Sequence, residues 1–189
     1  MVEATQSLVA ALLENQGYFV ATDYKVKAND VKTYAGQSHD IDIDVIAIDT
    51  HNKKVLVAEV KSYWGSTGVR PEHVVDIWTD KKGAHKVLKI LNNKDGIQEK
   101  LHGLLKRQIG EEFEFEYVLV AGRIRNKDEV EKKLAAKTVF GTRPRLIVIE
   151  SLLKEFIESY RLREKRGFSY VNHPGIAAIL ALEEYNMLR

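Results

Sequence analysis

Two neighbouring stretches of the chain have the hydrophobic pattern of β-strands. They are residues 41–48 (IDIDVIAI) and 55–61 (VLVAEVK), and only six residues separate them. A connection this short joins antiparallel neighbours, because parallel strands need a much longer crossover. The pattern therefore predicts a β-hairpin.

The length of the hairpin loop sets the register of its two strands. With a four-residue loop at 50–53, Asp44 lies directly opposite Glu59, and Asp42 lies opposite Lys61. Directly opposed residues have Cβ atoms about 4.5–5.5 Å apart, so two carboxylates can share one cation. Side chains two residues apart share a face, which sets Lys61 beside Glu59. The predicted cluster suits metal-assisted hydrolysis, with Asp42 as a further candidate for a partner of Lys61 or a metal ligand.

Both faces of the predicted hairpin are apolar over most of their length. The face with Asp44 and Glu59 also carries Ile46, Ile48, Val55 and Val57, and the opposite face carries Ile43, Val45, Ala47, Leu56, Ala58 and Val60. This is the pattern of strands covered on both sides, whereas alternating charges more commonly mark a solvated face. Buried carboxylates repel each other unless a cation lies between them. The pattern therefore favours a functional site over a solvated face.

The remaining periodicity predicts an α/β fold, a mixed β-sheet flanked by helices. Helices are predicted over 2–16, 71–79, 83–92, 96–108, 127–136, 151–165 and 175–188, and further strands over 18–26, 113–120 and 145–149. We expect one domain over residues 1–189, with a core at 1–121 and a C-terminal elaboration at 122–189.

Composition excludes several classes of chemistry. The 189 residues include no cysteine, which rules out disulfides, thiol catalysis and cysteine zinc sites. The longest apolar run, 176–182, is too short to cross a bilayer, and the first residues lack the layout of a signal peptide. We therefore expect a cytoplasmic protein with no membrane partner.

The net charge of +2 hides an uneven distribution. Residues 1–60 hold five Lys and Arg against nine Asp and Glu, whereas residues 61–189 hold 24 against 18. An acidic spot in a mildly basic chain suits a metal site that faces a polyanion, although the bias is modest.

The string Asp44…Glu59-Val60-Lys61, on an apolar hairpin behind an amphipathic helix, resembles the PD-(D/E)xK nuclease superfamily. That superfamily includes type II restriction enzymes and Holliday-junction resolvases. The resemblance covers residues 1–64 and continues beyond them only in the order of elements. It implies a restriction endonuclease-like fold with an αβββαβ core, and hydrolysis of phosphodiester bonds in DNA.

The resemblance also implies a role for each residue of the motif. Asp44 and Glu59 would bind Mg²⁺, or Mn²⁺ as a substitute, together with the backbone carbonyl of Val60. Mg²⁺ prefers such hard oxygen ligands and keeps several waters. Lys61 would orient or help deprotonate the attacking water and stabilise charge on the phosphate.

The chain departs from the family pattern at two positions. Gln6 stands where many members carry a glutamate on the first helix, and Ile43 replaces a proline before Asp44. An amide brings no charge, so the number of metals and the catalytic activity stay open. Two alternatives follow: a nucleic-acid-binding module of the same fold without catalysis, and a structural domain in which the charges form a salt-bridged cluster.

Further residues are candidates for contacts with DNA. A stripe at helical spacing suits phosphate binding, although a solvated helix face is the default interpretation: Lys82, His85, Lys86 and Lys89. Trp64, just beyond Lys61, could stack on a base, although an aromatic residue in such a loop more often packs. A homodimer would suit the cutting of two strands. The sequence leaves open the shape and sequence of the substrate and the choice between DNA and RNA.

Overall fold

The computed structural model describes residues 4–26, 41–61, 68–74, 88–93 and 96–164. The helices in these ranges are α1 (Ala4–Asn15), α2 (Ile97–Ile109), α3 (Lys127–Ala135) and α4 (Ile149–Glu164). The strands are β1 (Phe19–Val26), β2 (Ile41–Asp49), β3 (Lys54–Lys61), β4 (Glu114–Ala121) and β5 (Arg145–Val148). A short 3-10 helix, Pro71–His73, lies between β3 and α2.

The strands form one mixed sheet in the order β1-β2-β3-β4-β5. The β1–β2 and β2–β3 pairs are antiparallel, and the β3–β4 and β4–β5 pairs are parallel. The four residues 50–53 join the antiparallel strands β2 and β3, whereas the parallel pairs need crossovers that contain helices. The predicted α/β class, a mixed sheet flanked by helices, is confirmed.

Each face of the sheet is covered by its own hydrophobic core. The first core joins the sheet to α2 and α3 through residues such as Val57, Leu101, Leu105, Tyr117 and Val130. The second core joins the other face to α1 and α4 through residues such as Val9, Leu12, Ala58, Val118 and Phe156. Strands buried on both faces explain the nearly continuous apolar sequences of β3 and β4.

The helix predicted from Pro71 is wrong beyond its first turn. Val74 has extended backbone angles, φ −97° and ψ 102°, and ends the 3-10 helix. The Asn92 side chain donates to the His73 carbonyl at 2.7 Å, so a partner outside the segment satisfies that acceptor. Residues 75–79 of the prediction lie outside the described residues.

The prediction of a helix over 83–92 is also wrong for residues 88–92, which the structure describes. Residues 89–93 form turns, and the Gln98 side chain donates to the carbonyls of Ile90 and Leu91 at 2.8 and 3.2 Å. The Ile90 carbonyl also accepts the backbone N–H of Asn93 at 3.0 Å, so the backbone closes a turn here and the side chain adds further donors. Residues 83–87, the end of the 151–165 helix and the whole 175–188 helix lie outside the described residues. Within the described ranges, no helix is long and apolar enough to cross a membrane.

A backbone contact ties the chain after β3 to the chain after β4. Val69 donates to the Arg123 carbonyl at 2.9 Å, and Arg125 donates to the Val69 carbonyl at 2.8 Å. Gly68 precedes this bridge with φ +80°, and a Cβ added to it would lie 2.5 Å from the Arg123 carbonyl oxygen. Only glycine allows the two backbones to approach so closely.

We expect Gly68→Ala to destabilise the protein more than Gly141→Ala does. Gly141 has a similar φ of +85°, but its added Cβ would meet no atom within 4 Å. Both variants carry a left-handed backbone cost of about 1–2 kcal/mol, and the overlap with Arg123 adds about 1–3 kcal/mol more. Urea unfolding of the two variants measures the difference, and equal losses would contradict the close approach at Gly68.

Candidate functional site

The predicted register of the β2–β3 hairpin is confirmed over its apolar part. Asp49 pairs with Lys54 at the loop, and the ladder continues to the pair Val45 and Ala58. Asp44 and Glu59, the next residues along, do not form a ladder pair. The ladder pair expected between them is therefore not formed, and the regular β2–β3 pairing ends at Val45 and Ala58.

The alternation of side chains in β2 changes at Asp44. Ile43 packs in the first core, whereas Val45, two residues on, packs in the second. The expectation that both lie on one face is wrong. The side chains of β1 change faces at the same position, since Val20 packs with the second core and Tyr24 packs with the first.

The ladder between β1 and β2 has a gap at this position. It runs on both sides of the Asp23 and Asp44 positions but does not include that pair, and Asp23 has a positive φ of 51°. Asp44 therefore lies at a local irregularity of both ladders. A residue at such a position need not follow the regular alternation of faces.

The Asp44 carboxylate takes over a hydrogen bond that a strand would otherwise supply. The backbone N–H of Val60 donates to Asp44 Oδ2 at 2.7 Å. Within one strand residue, the N–H and the C=O point to the same side. The Val60 carbonyl therefore also points towards β2, on the side where Asp44 lies.

Gln6 holds the other oxygen of Asp44. The Gln6 amide nitrogen donates to Asp44 Oδ1 at 2.8 Å, and Gln6 is buried on α1 among residues of the second core. The expectation that Gln6 reaches the hairpin is confirmed. Its contact is with the Asp44 carboxylate, through the nitrogen of its amide.

Glu59 is a buried carboxylate with a partner on β4. Only 7% of Glu59 is exposed, and the Tyr117 hydroxyl donates to Glu59 Oε2 at 2.6 Å. Val57, on the same face as Glu59, pairs with Tyr117 in the parallel β3–β4 ladder. Tyr117 is fully buried, and its hydroxyl needs a partner there.

Lys61 lies between the two carboxylates. Its Nζ is 3.2 Å from Glu59 Oε1 and 4.0 Å from Asp44 Oδ2. The predicted convergence of these three side chains is confirmed. Asp42 takes no part, because its exposed side chain pairs with Lys25 of β1 at 3.9 Å, and the β1–β2 register sets those two residues opposite each other. The expectation of an Asp42–Lys61 pair is wrong.

The environment shifts the proton affinities of two groups in this cluster. Burial raises the pKa of Glu59, and the nearby Asp44 charge adds to the effect, whereas Lys61 and the Tyr117 hydrogen bond act against it. Burial, together with the charge of Glu59, raises the pKa of Tyr117 well above its ordinary value. Tyr117 therefore stays a hydrogen-bond donor at neutral pH.

Of the other predicted contact residues, only Lys89 lies in the described part of the chain. Lys89 is exposed in the turn region 88–93. Trp64, Lys82, His85 and Lys86 lie outside the described residues. Tyr117 was missed, because its contact with Glu59 depends on the pairing of β3 with a strand more than fifty residues away. A tyrosine in a strand that becomes buried was the only available signal.

The donor set of this cluster fits a magnesium ion better than a larger or softer one. It offers two carboxylates and one backbone carbonyl, all hard oxygens. No group of three or more His, Cys, Asp or Glu suited to a metal occurs in the described part of the chain. Mg²⁺ is commonly held by one or two carboxylates and keeps several waters, whereas Ca²⁺ takes six to eight oxygens and zinc prefers nitrogen and sulfur.

Comparisons with known proteins do not indicate a function for this chain. No protein-family model matches the chain, and no curated protein matches it. A solved structure titled "Crystal Structure of Protein of Unknown Function AF1548" is similar over 96% of both chains, with 12% identity and a TM-score of 0.39. A likeness at this level carries no argument about either fold or function.

We expect Gln6→Leu to lower the free energy of unfolding by about 1.5–3 kcal/mol, because it removes a buried hydrogen bond to a charged group. Gln16→Leu is the matched control, since Gln16 makes the same kind of bond, to Glu155 Oε2 at 3.1 Å, but on the surface. The control should change stability by less than about 0.5 kcal/mol. Chemical denaturation measures both variants, and similar losses would show that burial at Gln6 does not matter.

Proposed function

We propose that this protein is a metal-dependent nuclease that hydrolyses phosphodiester bonds in DNA. One observation carries the proposal: the carboxylates of Asp44 and Glu59 both lie within 4.0 Å of the Lys61 amine. They meet where the β2–β3 ladder ends, so the backbone of Val60 is also available to the site. Two acids and one lysine are the residue types that metal-assisted phosphate hydrolysis needs.

The residues of the site have two roles: three of them bind the metal ion, and Lys61 acts on the water and the phosphate. Asp44, Glu59 and the Val60 carbonyl hold Mg²⁺, or Mn²⁺ in its place, which when bound supplies Lewis-acid stabilisation of the phosphate oxygens. Lys61 orients the attacking water and stabilises the negative charge that builds up on the phosphate. The buried walls of the site strengthen these electrostatic interactions.

DNA is the proposed substrate because of the PD-(D/E)xK resemblance and the excess of basic residues in 61–189. A polyanion would approach a mildly basic surface, and the bound cation would offset the acidic spot. A cytoplasmic location and a homodimer stay predictions.

We expect Asp44→Ala and Lys61→Ala each to lower the rate of DNA cleavage by at least about 100-fold, because each removes a group that acts on the phosphate. Plasmid, single-stranded and branched DNA, each with Mg²⁺ or Mn²⁺, are the substrates. Asp42→Ala and Lys25→Ala are matched controls, since both residues are exposed and pair with each other. Cleavage that survives both site substitutions would refute the assignment.

A nucleic-acid-binding module without catalysis is the second candidate. The amide of Gln6 supports it, because it donates to Asp44 and supplies no third negative charge. This candidate requires salt-sensitive DNA binding with no turnover by the wild-type protein. A structural cluster would instead show no Mg²⁺ binding by calorimetry.

The Gln6→Glu variant tests how the negative charge that Gln6 lacks affects stability and Mg²⁺ binding. A carboxylate at this position would face Asp44 Oδ1, which now accepts a bond at 2.8 Å, and like charges this close are destabilising. We expect a lower melting temperature than wild type without divalent ions, and a larger rise on adding Mg²⁺, because the ion offsets the added charge. Equal Mg²⁺-induced rises in the two proteins would contradict a metal beside Asp44.

A further inference from the structure

We propose that Tyr117 is a positioning residue that makes Glu59 offer a single oxygen to the cation, which favours Mg²⁺ over Ca²⁺. The inference rests on the proposed function and deepens it, since it concerns which ion the same site accepts. It also gives a role to a buried tyrosine that the sequence motif does not include.

The two oxygens of Glu59 have different partners. Oε2 accepts the Tyr117 hydroxyl at 2.6 Å, and Oε1 lies 3.2 Å from Lys61 Nζ. Tyr117 is fully buried, so close packing leaves its ring little room to move. The bond to Tyr117 therefore fixes the orientation of the carboxylate.

The order of strands decides which oxygen faces the cation. β3 lies between β2, which carries Asp44, and β4, which carries Tyr117. The bond to Tyr117 engages Oε2 with a side chain of β4, whereas Lys61, which contacts Oε1, also lies 4.0 Å from Asp44 Oδ2. A cation shared by the two carboxylates therefore meets Oε1 of Glu59, the oxygen that already faces Lys61.

The Asp44 carboxylate is restrained in a similar way. Gln6 donates to Oδ1 at 2.8 Å, and the Val60 N–H donates to Oδ2 at 2.7 Å. Each oxygen thus accepts at least one hydrogen bond from the protein, which uses part of its capacity to accept. Neither carboxylate is left free to turn both oxygens towards one ion.

Binding through one oxygen of each carboxylate suits one alkaline-earth ion better than the other. Mg²⁺ requires near-octahedral geometry with ligands at about 2.0–2.1 Å and keeps its waters, whereas Ca²⁺ commonly takes a bidentate carboxylate among six to eight ligands. A carboxylate with one oxygen held by a buried donor can bind Mg²⁺ through its other oxygen. The same restraint resists the bidentate binding that Ca²⁺ commonly takes. Loss of that donor should therefore reduce the preference for Mg²⁺.

The test compares Mg²⁺ and Ca²⁺ affinities by calorimetry in the full chain, without DNA. We expect Tyr117→Phe to weaken Mg²⁺ binding by about 10-fold or more, as is usual when a partner of a metal ligand is removed, and to weaken Ca²⁺ binding much less. Tyr160→Phe is the matched control, because Tyr160 packs beside Phe156 at the second core, and it should leave both affinities unchanged.

The outcomes separate this inference from the proposed function. An unchanged Mg²⁺ to Ca²⁺ ratio in Tyr117→Phe, with DNA cleavage intact in the wild type, overturns only the role of Tyr117. A ratio that depends on Tyr117, without any cleavage by the wild type, supports that role and overturns only the nuclease. A wild-type protein that binds neither ion overturns both.

A crystal structure gives a reading that does not depend on the folding of a variant. In wild-type crystals soaked with Mn²⁺, we expect the ion on Oε1 of Glu59, with the Tyr117 hydroxyl still on Oε2. An ion held equally by both oxygens overturns the inference. If circular dichroism shows that Tyr117→Phe is unfolded, this structure alone decides.

Discussion

The hydrogen bond from the Val60 N–H to the Asp44 carboxylate is the interaction on which the site depends. It ends the regular β2–β3 ladder, because a side chain takes the place of a backbone acceptor. Without it, a buried backbone donor would be left unpaired at a cost of about 1–3 kcal/mol. The same bond sets the position of Asp44 relative to β3. The regular β2–β3 pairing thus ends at the same residues at which the proposed binding site begins.

The cluster is stable only as a whole. Glu59 is buried beside a second carboxylate, and Lys61 supplies the positive charge that both acids require. Removing one partner from such a group leaves an uncompensated charge in a poorly solvated place, which costs more than the intact pair contributes. Tyr117 and Gln6 reduce that cost with donors of their own. The contacts that stabilise the cluster are therefore the same contacts on which the proposed hydrolysis depends.

The sequence predicted the parts of the site that follow from local spacing. The short loop fixed the hairpin register up to Val45, and the motif placed Asp44, Glu59 and Lys61 close together. The change of faces at Ile43 was not predictable, because a regular alternation had to be assumed through the irregular position. The Tyr117 contact depends on a parallel pairing with a distant strand. The 3-10 helix that begins at Pro71 ends at Val74, beside a contact that periodicity cannot take into account, the hydrogen bond from the Asn92 side chain to the His73 carbonyl.

The bridge between Val69 and Arg123 has a consequence for how this fold can diversify. The Lys61 carbonyl accepts the N–H of Gly122, and the Arg123 carbonyl accepts the N–H of Val69. Both ends of the 62–67 connection are therefore anchored to successive residues of one neighbouring segment. A connection with its ends fixed in this way can be exchanged or lengthened at little entropic cost. A sequence change just beyond the lysine therefore need not alter the backbone contacts that hold the carboxylates in place.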